Sequence, residues 1–299
     1  MKRKKQFFLM RFFLALFSGF GLLMAAHVYS EPLTDPGAKI KVFVSILPQA
    51  YFVERIGGDR VDISVMVGPG SSPATYEPVP RQMVEIGNAQ LFFRIGVPFE
   101  NVWMDRLSKI NPKMKVIDTR RGIKLLPMKT HHHNQKSGVK DPHIWTSVRL
   151  VRIQAQNICN ALINLDPDNR GYYQNNLTAF IDDLNNLDAE IVESLKGIRV
   201  RKFMVFHPAW GYFARDYGLD QIPIEIGGKE PGARELANLI EEAKNDGIKI
   251  IFVQKQFSEK SAEALADAIG GRIIQIDPLA RDYLNNMKMI AETFRRVMR

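Results

Sequence analysis

KVFVSILPQAYFVERIGGDRVDISVMV, residues 41 to 67, changes its periodicity twice. It opens on an apolar, β-rich run at 41–47, shifts to helical spacing in QAYFVERIGG, and returns to a β-rich run in VDISVMV at 61–67. A strand, a helix that stops at glycine and a second strand predict an α/β architecture with parallel strands. The same alternation continues outward. PRQMVEIGNA reads as a short helix, LFFRIG (91–96) as a strand, and Lys115 to Asp118 as a further strand. The stretch 120–140 is polar, basic and rich in turn formers, and reads as an exposed loop.

Past Trp145 the pattern is helical to about Leu165. A second helical pattern then runs from about Asp168 to Lys196, with Leu177, Phe180, Ile181, Leu184, Leu187, Ile191 and Leu195 recurring on one side. At ~1.5 Å per residue such a helix spans roughly 40 Å, more than one small lobe needs, so it reads as a strut between two lobes. A second alternating unit follows, with strands KFMVFH (202–207), IKIIFVQ (248–254) and RIIQID (272–277). Helices RELANLIEEAKNDG and SEKSAEALADAIGG separate them, and a closing helix runs from about Asp282 to Met298. The predicted organisation is a leader at 1–30, an N-terminal lobe at 31–165, a linking helix at 166–198 and a C-terminal lobe at 199–299.

Lys2, Arg3, Lys4 and Lys5 precede an apolar run from about Phe12 to Ala26 that ends in small residues, the pattern of a cleaved signal peptide. The run is shorter than the ~20 residues a membrane-spanning helix needs, so the expected product is soluble and lies outside the cytoplasm. The formal charge of +9 includes five basic residues of this leader, and about +4 remains after it. A nucleic-acid partner is not expected at that charge. The single cysteine, Cys159, lies in an apolar helical pattern and reads as a buried, inert thiol.

Three residues that suit a divalent metal occupy comparable places. His207 and Asp277 end predicted strands, and His143 sits in the turn-prone Asp141-Pro142-His143. Ligands of open α/β sheets collect beyond the carboxyl ends of the strands, and two imidazoles with one carboxylate suit zinc. For any one histidine taken alone, a hydrogen-bonded structural role is the plainer reading; the coincidence of several reverses it.

TYEPVPRQM (75–83), DPHIW (141–145), FHPAWGYFARDYGL (206–219) and IDPL (276–279), in this order, resemble the periplasmic zinc- and manganese-binding proteins of ABC transporters, the ZnuA/TroA-like solute-binding family of cluster A-I. The resemblance covers nearly the whole chain after the leader. It implies two α/β lobes, each a mainly parallel sheet flanked by helices, joined by one long rigid helix, with the metal held in the cleft between them. It implies a periplasmic, monomeric protein that hands zinc, or alternatively manganese, to a permease in the inner membrane. By position it assigns His143, His207 and Asp277 as ligands, and histidine at 207 leans toward zinc.

The family's first ligand, a histidine, does not carry over, because SSPATYEP places Ala74 there. Water, Glu77 one helical turn away, or the triplet His131, His132 and His133 in the loop 129–140 could supply a further donor. The triplet reads equally as an exposed zinc collector or as a solvated polar loop. Two alternatives stay open: a zinc enzyme with an open coordination position, and a binding protein of this fold for another cargo such as manganese or a metal complex. Glu225 and Glu230, beside Gly227-Gly228, read as structural.

Overall fold

A computed structural model of the protein describes residues 38–129, 138–256 and 260–298. The leader predicted at 1–30 and the triplet His131, His132 and His133 lie outside the described residues.

The opening stretch folds as its pattern predicts, into β1 (Ile40–Ile46), α1 (Leu47–Gly57) and β2 (Val61–Val67). Pro48 stands in the first turn of α1, where its missing N–H leaves no helical bond unmade. α2 (Pro80–Ile86), β3 (Leu91–Arg94), α3 (Pro98–Ile110) and β4 (Lys115–Asp118) complete the first half. The strands are parallel, in the order β2-β1-β3-β4. β1 lies inside the sheet and all but one of its residues are buried, which is why its sequence is largely apolar and does not alternate.

α4 (Val148–Leu165) and α5 (Arg170–Ser194) follow. Ser147 caps α4 by accepting the Leu150 N–H at 3.1 Å. α5 has 25 residues, about 37 Å at ~1.5 Å per residue. Tyr173, Leu177, Phe180, Leu184, Leu187 and Ile191 form its buried stripe and meet α1 and α4. The helix is a little shorter than the pattern predicts, since Pro167–Asn169 forms a separate 3-10 turn before it.

The second half comprises β5 (Lys202–Val205), α6 (Gly211–Tyr217), β6 (Asp220–Pro223), α7 (Ala233–Asn245), β7 (Ile250–Val253), α8 (Lys260–Ile269), β8 (Arg272–Gln275) and α9 (Tyr283–Val297). Its four parallel strands run in the order β6-β5-β7-β8, the same arrangement as in the first half. Alternation sorts its two faces. Phe203, Val205 and Phe252 point into the core shared with the first half, and Met204, Phe206, Ile251 and Val253 into a second core with residues of α7 and α8.

Besides the seven-residue α6, two elements escape the sequence reading. β6 is a four-residue strand ending in Pro223, and a proline that cannot donate to a ladder is tolerated because β6 lies at the sheet edge. α3 buries Phe99, Met104 and Leu107, but Val102 is 71 % exposed, which blurs its helical period.

α9 joins both halves. At its start the Tyr283 ring meets Phe52 edge-on at 4.9 Å, and near its end Phe294 stacks on Phe252 at 4.5 Å and meets Phe203 at 4.9 Å. Along its length it also lies against α5. Phe294 is fully buried among these rings, so Phe294→Ala is expected to destabilise the protein by about 3–5 kcal/mol. A urea-unfolding series would measure this, and a cost below about 1 kcal/mol would mean that the ring cluster can collapse around the loss.

Candidate metal centre

In both halves the loops that follow the carboxyl ends of the strands carry the chemistry. His143 lies on the long connection between β4 and α4. Its backbone N–H and its ring Nδ1 both bond Asp141 Oδ1, at 2.9 and 2.7 Å. Asp141 is almost completely buried. Its own carbonyl accepts the Tyr212 hydroxyl at 2.8 Å, and that hydroxyl accepts the Leu126 N–H at 3.0 Å. The rest of DPHIW anchors the turn. Trp145, fully buried, donates its indole N–H to the Pro278 carbonyl at 2.8 Å, and its own carbonyl accepts the Tyr283 hydroxyl at 2.9 Å.

Gly211 at the start of α6 makes this approach feasible. A Cβ there would stand 2.8 Å from Asp141 Oδ2, pressing on the carboxylate that aims His143.

His207 lies two residues past β5. Gln254, which follows β7, brackets its backbone by accepting the N–H at 3.2 Å and donating to the carbonyl at 2.6 Å. The ring Nδ1 lies 2.8 Å from Oε1 of Glu225, a buried carboxylate that follows β6. The second imidazole is therefore aimed from behind by a carboxylate, as the first is.

The two rings meet across the cleft, with Nε2 to Nε2 at 3.2 Å and ring centroids 5.1 Å apart at 76°. A carboxylate behind each Nδ1 assigns the proton to that nitrogen and leaves both Nε2 lone pairs directed at one region. Two lone pairs at this distance repel unless a proton or a cation lies between them. Burial holds the His207 pKa below its ordinary value; Glu225 opposes that shift and the neighbouring His143 adds to it. The imidazole thus stays neutral and able to bind a metal to lower pH than a free histidine.

A cavity of about 150 Å³ opens in front of the pair, and Ala74, Val97, Pro98, Asn101 and Gln256 are among the residues that line it. Ala74 sits in the turn at 73–75 between β2 and α2, on the same cavity as both histidines. The other predicted residues stand differently. Asp277 follows β8, and its Oδ1 accepts the Leu279 N–H at 2.8 Å, with Gln256 Nε2 at 3.5 Å. Its neighbours Pro278 and Leu279 line the cavity, but the Asp277 side chain does not. Among the described residues, no three His, Cys, Asp or Glu side chains are grouped closely enough to hold a metal ion together. Glu77 is exposed and outside the cavity lining. Sequence reasoning assigned no role to Asp141 and read Glu225 as structural. Asp141 was legible from its place two residues before His143; Glu225 depends on a strand, β6, that the pattern did not show.

The family model for ZnuA, the periplasmic component A of a zinc-uptake complex, matches residues 42–297. The high-affinity zinc uptake system protein ZnuA of Bacillus subtilis (strain 168) is 29% identical over 247 residues, covering 79% of this chain and 77% of that protein. A crystal structure of ZnuA superposes with a TM-score of 0.83 at 44% identity, covering 87% of this chain and 100% of the other. A zinc-bound ZnuA carrying a deletion of its residues 138–173 gives 0.82 at 45% identity, over 87% and 98% of the two chains.

The burial of His207 has a pH signature. Below the ordinary histidine value of 6.5 the unfolded chain takes up a proton that folded His207 refuses until lower pH. The unfolded state then binds more protons, so the His207 contribution to stability is present above 6.5 and is lost as the pH falls below it. Metal-free protein should show a urea midpoint that declines below 6.5, and the decline should be shallower in His207→Gln. Glu225→Gln removes the influence that raises this pKa, so the His207 ring signals should titrate at still lower pH by NMR; a titration point that stays or rises would refute the assignment.

Proposed function

The chain belongs to the ZnuA family of periplasmic zinc-uptake components, and on that premise we propose that it captures one zinc ion between His143 and His207 and delivers it to an ABC permease in the inner membrane. The observation that carries this reading is the meeting of two Nε2 atoms at 3.2 Å with a carboxylate behind each ring. Two imidazole nitrogens at ~2.0–2.1 Å from a tetrahedral zinc lie about 3.3 Å apart, so the pair already has the spacing that the ion requires. Paired imidazoles suit borderline zinc better than the harder manganese ion.

Asp277 is the third ligand in this proposal, on the support of its place beside the cavity-lining Pro278 and Leu279. Glu77 and the triplet His131, His132 and His133 are additional donors only if Asp277 and solvent do not complete the coordination. Asp141 and Glu225 act on the metal indirectly, by fixing ring orientation and by placing the proton of each neutral imidazole on Nδ1, which leaves Nε2 as the donor. The zinc is cargo, bound and released without chemical change.

The same reading assigns residues 1–30 as a cleaved signal peptide, 31–165 and 199–299 as the two metal-holding lobes, and 166–198 as the linking helix. It takes the protein to be monomeric and periplasmic. Since α5 runs through the molecule packed on α1, α4 and α9, zinc capture needs only small adjustments of the loops around the cavity.

Competition titration of metal-stripped protein with a zinc chelator tests this. One zinc should bind, and Asp141→Asn should weaken it ~10–100-fold, the usual cost of an outer-shell partner. His143→Ala and His207→Ala should each cost more than that. Zinc affinity should also fall as acidification protonates the imidazoles. Wild-type affinity in both alanine variants would place the zinc elsewhere.

A further inference from the structure

The proposed zinc site offers fewer protein donors than zinc prefers. A tetrahedral ion takes four ligands. His143 and His207 supply two, and Asp277 would supply a third. Of the other residues that line the cavity, Asn101 and Gln256 carry amides, not the thiolate, imidazole or carboxylate that zinc takes, and Ala74, Val97 and Pro98 have no side-chain donor. The open space is also generous. A single water needs roughly 10–15 Å³ of such space, whereas the cavity measures about 150 Å³, a size at which an apolar cavity accommodates a benzene ring.

The charges around the cavity limit what can enter. Asp141 and Glu225 stand directly behind the two imidazoles, and Asp277 follows β8, next to the cavity-lining Pro278. Three carboxylates and the Lys140 ammonium at the cavity rim already balance a dication. A further anion would be buried in excess, whereas a neutral donor adds no uncompensated charge. The apolar wall favours a flat ring over a small hydrated ligand, and zinc favours nitrogen from an imidazole.

Resting on the zinc-site reading above, we infer that the cavity binds the imidazole ring of an exogenous molecule together with the metal. The ring nitrogen occupies the fourth coordination position, and the ring lies against Ala74, Val97 and Pro98. The protein then takes up zinc as a ternary complex with a neutral nitrogen heterocycle, and Ala74 is the specificity-determining residue because its small side chain leaves room for that ring.

Cobalt(II), whose visible spectrum reports its ligands, serves as the probe in the metal-stripped protein, and imidazole as the donor. Imidazole should shift the cobalt band saturably while the cobalt stays on the protein. At imidazole ten times its dissociation constant, the apparent zinc affinity should rise about tenfold. Ala74→His should show a shifted band from the start and ignore imidazole. Ala74→Leu, which fills the space without a donor, should bind cobalt and also ignore imidazole. A wild-type band that imidazole leaves unchanged would overturn the inference, since water or a group of the chain would then complete the site. A response in Ala74→Leu equal to wild type would overturn it too, by locating the ring elsewhere. If instead no cobalt binds, or binding survives His143→Ala and His207→Ala, the zinc-site reading itself has failed.

Discussion

Two hydrogen bonds on the far sides of two imidazoles organise the centre of this molecule. Asp141 holds Nδ1 of His143 at 2.7 Å and Glu225 holds Nδ1 of His207 at 2.8 Å, so the opposed nitrogens are presented to each other at 3.2 Å. An imidazole free to rotate or to change tautomer would present a metal with a donor only part of the time. Here a buried carboxylate fixes the orientation of each ring. The arrangement is costly without a cation, because it brings two lone pairs together in a partly desolvated place. That cost is what makes the pair a trap for a positive ion.

The scaffold keeps the two halves in register at this point. Both sheets have one strand order, and in each the adjacent strands at the switch point open a crevice at their carboxyl ends. α5 lies along the molecule as a stiff member. Hydrogen bonds from Tyr212 to the Asp141 carbonyl and from Trp145 to the Pro278 carbonyl tie the His143 turn to elements of the second half. Ser147, the cap of α4, also donates to Asp216 on α6. The fold is duplicated but the chemistry is not, since His207 follows the first strand of its sheet and His143 lies far beyond the last strand of the other.

Much of this was legible in the sequence, for identifiable reasons. Strands buried on both faces announce themselves as apolar runs, so β1, β3, β5 and β7 were readable; β2, β4 and β8 are only partly buried or exposed and were readable from their place in the alternation of β-rich and helical runs. The long stripe of α5 was readable because the helix buries one face along its whole length. β6 was not, being short, at an edge and ended by Pro223. His143 and His207 stood out because DPHIW and the strand before His207 place them at comparable ends. Glu225 did not, because its role depends on a contact across 18 residues that no local pattern encodes. Asp277 shows the opposite limit: its position at a strand end was readable, but the direction of its carboxylate, taken up by the Leu279 N–H, was not.

α9 gives the molecule an order of assembly. The carbonyl of Trp145 finds the Tyr283 hydroxyl 138 residues further along, and Phe294 reaches the rings of the second sheet only when the chain is almost finished. Loops of that length close late and slowly compared with the local crossover units. A chain broken off before α9 would have both sheets and both histidines in its sequence, yet would leave the shared core open and the His143 turn without its tie to Tyr283. The last helix of the chain thereby completes both the shared core and the anchorage of the turn that carries His143, and a product cut short before it would expose aromatic surface that the whole chain buries.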